Sequence, residues 1–208
     1  MALVWSPQAN ASLYGRTTDI PAAIAAGVTT IGLGPDSSLV GSVNMLDELR
    51  FADKWDNDNW KNTLTRKRLF EMATIDGARA LGVSSHLGSI EVGKRADLFV
   101  YAGSLATAYD DLFEVTPATV RMVMVDGRVL YGDKVLEPAA PRAPGCETLP
   151  ICTSNKFLCA AETSTAQKLN QSFAQFKTAI DTALSDYDTI GNPARVPLSP
   201  VAPLTKCP

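Results

Sequence analysis

Residues 28–42 read Val28-Thr-Thr-Ile-Gly-Leu-Gly-Pro-Asp-Ser-Ser-Leu-Val-Gly-Ser42. Val28, Thr29, Thr30 and Ile31 are β-branched, and the run is short and bounded by Gly and Pro, which predicts a buried strand over residues 28–34. Gly32, Gly34 and Pro35 stop it. Asp36 then stands at the carboxyl end of the strand, followed by the hydroxyls of Ser37 and Ser38. In parallel α/β architectures, function gathers at that end of the strands. A carboxylate held there can ligate a metal or move a proton. Pro-Asp-Ser-Ser is also ordinary turn chemistry, so the flanks have to decide.

Upstream, Leu3-Val4-Trp5 reads as a short buried strand that Ser6-Pro7 ends. Residues 8–16 read as loop. They contain Asn10-Ala11-Ser12, formally a glycosylation acceptor with meaning only in a eukaryotic secretory setting. Asp19 can cap a short helix over residues 21–26, with Pro21 in its first turn and Gly27 at its close. Strand, loop, helix, strand is one βαβ unit. It implies parallel strands and a right-handed crossover.

Downstream, Met45, Leu49 and Ala52, with Leu46 alongside, give residues 42–55 a helical stripe, and Ser42 is a plausible cap. Residues 56–62 read as a polar loop with an exposed Trp60. Thr65 caps a second helix that buries Leu69, Phe70 and Met72, and Thr74 restarts it towards Gly82. The period changes at Gly88. Residues 96–101 read as a strand, and residues 120–131 as a hairpin about Asp126-Gly127. An α/β beginning thus gives way to a small β region. Residues 137–145 carry Pro138, Pro141, Pro144 and Gly145, the composition of a stiff linker. Beyond it, Ala166, Leu169, Phe173, Phe176, Ile180, Leu184 and Tyr187 set one apolar stripe on a helix over residues 163–187. Such a helix packs on its own domain or pairs in a coiled coil. Residues 193–208 hold five prolines and should be extended.

The chain has 208 residues, 46% of them hydrophobic, with mean hydropathy +0.02, a net charge of −3 and a pI near 5.2. That is enough for one or two cores. It gives no basic footprint for nucleic acid, and no apolar run reaches membrane-spanning length. The four cysteines, Cys146, Cys152, Cys159 and Cys207, all lie in the last third. An even number in one loop-rich tail suggests disulfides, with three pairings open. Free thiols are the lesser alternative. A zinc site is disfavoured because no Cys-x-x-Cys or Cys/His pair occurs. Disulfides would place the protein in an oxidising compartment, periplasmic or secreted, through a signal encoded upstream; free thiols would fit the cytoplasm.

An ordered set of segments then fits one pattern: Ser6-Pro-Gln-Ala-Asn10, Leu13-Tyr-Gly, Gly27-Val28, Gly32-Leu-Gly-Pro-Asp36-Ser, Gly41-Ser-Val-Asn44, Leu46-Asp-Glu-Leu, Ala73-Thr-Ile-Asp-Gly-Ala-Arg-Ala-Leu-Gly82 and Gly88-Ser-Ile-Glu-Val-Gly-Lys-Arg-Ala-Asp-Leu98. Across residues 3–135 the chain resembles the C-terminal portion of amidohydrolase-superfamily enzymes, in the cytosine deaminase and chlorohydrolase branch. The resemblance implies an α/β fold: the C-terminal part of a (β/α)8 TIM-type barrel, plus the C-terminal share of a small β-sandwich. Residues 1–85 would be the last two β/α units with their following helices, and residues 86–136 the β-sandwich portion. Residues 137–145 would be the linker and 146–208 a cysteine-bearing tail with one long helix. It also implies a divalent metal, zinc or iron, at the barrel mouth. Asp36 matches the strand-eight aspartate that binds the metal and shuttles the proton of the attacking water. The activity implied is hydrolysis of C–N, and in some members C–halogen, bonds of small cyclic or amide substrates.

The family's other ligands are mostly histidines on strands one, five and six, which have no counterpart here. The single histidine, His86, lies beyond strand eight and reads as a surface loop residue. One carboxylate cannot hold a catalytic metal, because zinc sites take three or four protein ligands. The chain is therefore expected to be incomplete and inactive alone, and to need the N-terminal part of a barrel or self-association. Two lone barrel strands would expose unpaired edges. A non-catalytic remnant or scaffold is the alternative. Gly32-x-Gly34-x-x-Ser37 only weakly matches a dinucleotide fingerprint, lacking the third glycine. Ser37 and Ser38 lack a nucleophile elbow.

Overall fold

In the computed structural model of the protein, residues 1–140, 146–159, 171–190, 197–201, 203, 205 and 207 are described. They form two compact units, residues 1–96 with 103–115 and residues 97–102 with 116–208.

The first unit is α/β. Strand β1 (Ala2–Trp5) leads straight into helix α1 (Pro7–Tyr14). The sequence pattern suggests a loop here because Pro7 reads as a strand stop. Proline at the first helical position costs no hydrogen bond, since that N–H has no partner in a helix anyway. Helix α2 (Ile20–Ala25) follows, capped by Asp19, whose side chain accepts the Ala22 N–H. Strand β2 (Thr30–Leu33) is shorter than the apolar run suggests, because the Val28 N–H is drawn back to the Ala23 carbonyl. β1 and β2 pair in parallel, Ala2 opposite Thr30 and Trp5 opposite Leu33.

Helix α3 (Met45–Trp60) is capped by Asn44 rather than Ser42 and runs five residues past the expected end. What reads as a polar loop is its last turn. Asp56 is fully buried there and accepts the N–H groups of Thr63 and Leu64. Trp60 turns inward, its ring 5.4 Å from that of Trp5. Thr65 caps α4 (Arg66–Ala73) as anticipated, and α5 (Ile75–Ala80) restarts after Thr74. The core gathers Trp5, Ile20, Ile31, Leu69 and Met72, each wholly buried. α5 lies so close to β2 that a Cβ on Gly32 would come within 3.2 Å of the Gly77 Cα.

The second unit is an antiparallel sheet. β3 (Leu98–Tyr101) leads into it. The chain then returns to the first unit for a short helix, α6 (Ala108–Phe113), which the sequence pattern does not show. β4 (Val120–Val125) and β5 (Arg128–Asp133) make the expected hairpin about Asp126-Gly127. A 3-10 turn (Lys134–Ala139) occupies the start of the proline-rich stretch, and residues 141–145 of the expected linker lie outside the described residues. The tail also supplies two strands that its composition conceals. β6 (Cys146–Ile151) and β7 (Ser154–Cys159) form a hairpin, and β7 pairs with β5, giving the order β3-β4-β5-β7-β6. Val129 and Phe157 centre its core. α7 (Phe173–Thr189) begins with a full capping box at Ser172 and Gln175. The first residues expected in that helix lie outside the described set. Disulfides Cys146–Cys159 and Cys152–Cys207 resolve the three open pairings.

Candidate active site at the carboxyl ends of the paired strands

The parallel ladder of β1 and β2 ends with one further bond, from the Gly34 N–H to the Trp5 carbonyl at 3.0 Å. Two segments leave from that end. One is the first turn of α1, carrying Pro7, Gln8 and Ala9. The other is the loop of residues 34–44, carrying Asp36.

Asp36 is exposed, and its carboxylate meets no hydrogen-bond donor or cation among the described residues. The loop beyond it is ordered by its own backbone. The Val40 and Gly41 N–H groups both reach the Ser37 carbonyl, at 3.1 and 2.7 Å. Ser37 Oγ accepts the Leu39 N–H, which accounts for one serine as turn chemistry. Gly41 is packed tightly. A Cβ there would stand 3.2 Å from the Ser37 carbonyl and 3.3 Å from the Ala9 Cβ.

Below the loop lies a polar chain that sequence reasoning did not find. Gln8 Nε2 donates to the Gly41 carbonyl at 3.4 Å, and the Ser42 hydroxyl donates to Gln8 Oε1 at 2.6 Å. The Gln8 N–H donates to Oε1 of Glu48 at 3.2 Å. Glu48 is fully buried on α3, and its Oε2 has no hydrogen-bond partner among the described residues. One signal was present: Glu48 interrupts the face that also carries Leu49, Ala52 and Asp56, so a carboxylate points into a helix's buried side.

A hollow of about 700 Å3 opens beside α1, lined by Asn10, Tyr14, Arg16, Thr17 and Thr18. Thr17 bridges it to the core, its hydroxyl oxygen accepting the Trp5 Nε1–H at 2.6 Å and the hydroxyl donating to Asn10 Oδ1. The hollow offers donors and no carboxylate. Asp36 is not among its lining residues.

The described residues do not fit a catalytic metal by themselves. No group of three or more His, Cys, Asp or Glu side chains that could hold a metal converges among them, so Asp36 belongs to no such cluster here. His86 is exposed in a loop closed by its own backbone bonds to Val83 and Arg95. All four cysteines are in disulfides. What the site offers is one accessible carboxylate at the end of a parallel strand.

Comparison with known proteins gives this arrangement its context. The amidohydrolase family profile matches residues 5–130, more than half of the chain. An S-triazine hydrolase from Gordonia rubripertincta is 32% identical over 140 residues, 62% of this chain and 29% of that protein. A 5-methylthioadenosine/S-adenosylhomocysteine deaminase from Desulforudis audaxviator is 32% identical over 142 residues, 63% of this chain and 33% of that protein. Among solved structures, an adenosine deaminase from Xanthomonas campestris with bound zinc superposes with a TM-score of 0.53 at 27% identity, over 62% of this chain and 31% of that one. The chain spans about a third of the length of these proteins. Over the strands, the Asp36 loop and the hairpin that make up residues 5–130, the chain belongs to the amidohydrolase family.

Proposed function

We propose that this chain carries the last two strand–helix units of a (β/α)8 amidohydrolase barrel together with part of its β-sandwich, and that Asp36 is the carboxylate that handles the proton in hydrolysis. The observation that carries the reading is Asp36 itself. It is exposed, and without a partner among the described residues, at the carboxyl end of a parallel strand in a chain of this family. There a carboxylate can take the proton of an attacking water and return it to a leaving nitrogen. The bonds cleaved are C–N bonds, or C–halogen bonds, of small cyclic or amide substrates. A triazine hydrolase and several deaminases among the relatives support that class.

The family implies a divalent metal, zinc or iron. Since no three-ligand cluster forms around Asp36 among the described residues, such a metal would draw further ligands from another part of the barrel or from a second copy. The active site is complete only with those ligands, and its substrate is a small molecule. The two disulfides support an oxidising compartment, periplasmic or secreted.

Asp36→Asn is the test. In the assembled enzyme it keeps the shape and removes the base, and kcat for ammonia or halide release should fall by about 10²–10⁴. Wild-type turnover in the Asp36→Asn enzyme would overturn the reading. Elemental analysis of the purified 208-residue chain is the companion measurement, with well under one zinc or iron per chain expected.

A further inference from the structure

We propose that Glu48 and Gln8 are positioning residues for Asp36, forming a clamp that fixes the loop on which the carboxylate stands. The proposal rests on the reading of Asp36 as the working carboxylate. Three observations meet in it. Glu48 is fully buried yet, among the described residues, uses only one of its two carboxylate oxygens, to take the Gln8 N–H. A half-satisfied buried carboxylate costs stability, and a leucine would pack at this face without that cost. Its return is therefore positional. Gln8 uses both ends of its amide, on the Gly41 carbonyl and the Ser42 hydroxyl, and Ser42 is itself buried. Gly41 in turn binds the Ser37 carbonyl and lets the loop lie against Ala9, where an added Cβ would force its neighbours to give way.

These contacts run without a break from α3 through the first turn of α1 to the residue next to Asp36. They tie the Asp36 loop to the end of β1 without a hydrogen bond to the Asp36 carboxylate. A catalytic carboxylate needs such support, because a displacement of about 1 Å can cost on the order of 100-fold in rate. Asp36 itself has no partner among the described residues to hold it.

The experiment uses the isotopically labelled 208-residue chain. Gln8→Met keeps the length of the side chain and its backbone N–H, and removes both amide bonds. The Gly41 amide should exchange at least about tenfold faster, and the heteronuclear NOE at Asp36 should fall, while the Ile31 and Leu69 amides hold within about twofold. Glu48→Gln retains an acceptor for the Gln8 N–H and should keep the Asp36 loop as ordered as in the wild type, whereas Glu48→Leu should free it. Three results would each overturn the clamp: unchanged Gly41 exchange and Asp36 NOE in Gln8→Met, uniform loosening of every amide, or identical behaviour of the two Glu48 variants. If Glu48→Leu does not fold, Gln8→Met decides alone. None of these readouts needs turnover. A fully active Asp36→Asn enzyme would therefore fell the proton-handling reading while leaving the clamp standing, and rigid amides in Gln8→Met would do the reverse.

Discussion

Gly88 shows how a single residue type can be forced by its surroundings. It opens the Gly88–Leu98 segment of the family resemblance, and its backbone sits at φ +91°, a region that side chains disfavour. Its surroundings add a second constraint. A Cβ there would fall 2.6 Å from the Ala78 Cβ, 3.0 Å from the Ile75 Cα and 3.2 Å from the Thr74 carbonyl. Two of these are backbone atoms of the α4–α5 junction and cannot swing away. Gly88→Ala should therefore cost about 2–4 kcal/mol, the sum of backbone strain and overpacking. Gly93, at the same φ with open space around it, is the internal control and should cost only the strain. Chemical denaturation of the two variants checks this, and equal losses would show that packing at Gly88 plays no part. Asp76 makes a similar point with charge. It is buried in the Ala73–Gly82 motif and bound by both Arg68 and Arg79, while Arg68 also reaches the Thr29 carbonyl ahead of β2. Residues that looked like a family signature are the joints of the packing.

Among the elements, legibility followed how local the determining physics was. Asp19, Thr65 and the Asp126-Gly127 turn act within four residues, and the sequence pattern located each of them. The position of Asp36 just beyond β2 was legible for the same reason, since Gly34-Pro35 stops the strand. The clamp beneath it was not, because Gln8 and Glu48 lie 40 residues apart and meet only through the fold. The β6–β7 hairpin was hidden too: Cys-Glu-Thr-Leu-Pro-Ile carries a proline, tolerated because β6 is an edge strand. Its docking depends on Lys156, almost wholly buried, whose ammonium donates to Asp133 at 2.6 Å and to the Val120 carbonyl at 2.7 Å. Burial pushes the Asp133 carboxyl up, but its hydrogen bonds with Lys156 and Arg121 outweigh this and hold it below the ordinary carboxylate range. A carboxyl depressed in the folded state stabilises fully above its unfolded pKa of about 3.9 and loses that contribution as pH falls through the folded value. Asp133→Asn should thus cost about 3 kcal/mol at neutral pH, by leaving Lys156 buried without its counter-charge. The gap between variant and wild type should close as the solution is acidified below that range. Denaturation midpoints across the acid limb measure this, and a gap independent of pH would exclude the ion pair as its cause.

At the scale of the whole chain, the residues beyond the family match join the sheet of the second unit by the pairing of β7 with β5, and are stapled to one another by two disulfides. Cys146–Cys159 crosses the hairpin ends and closes 13 residues of chain. Cys152–Cys207 closes 55 and encloses α7. α7 leans on that closure, because none of its residues is fully buried and Phe173, Phe176 and Leu184 are only half-buried. What orders it locally is polar. The Phe173 and Ala174 N–H groups donate to Glu147, and Asp188 accepts the Leu198 and Ser199 N–H groups. Exposed and half-buried bonds of this kind are individually weak and compete with water. Chain-entropy arguments assign the longer loop about 4 kcal/mol and the shorter about 3 kcal/mol. Replacing Cys152 and Cys207 by serine should therefore speed amide exchange across α7 far more than in β4 and β5. Replacing Cys146 and Cys159 should loosen the outer hairpin and leave β4 with β5 protected. Reduction of the wild-type chain should reproduce the sum of both. If α7 kept its protection in the Cys152 and Cys207 double variant, the helix would have to be held by packing of its half-buried Phe173, Phe176 and Leu184 rather than by the closed loop.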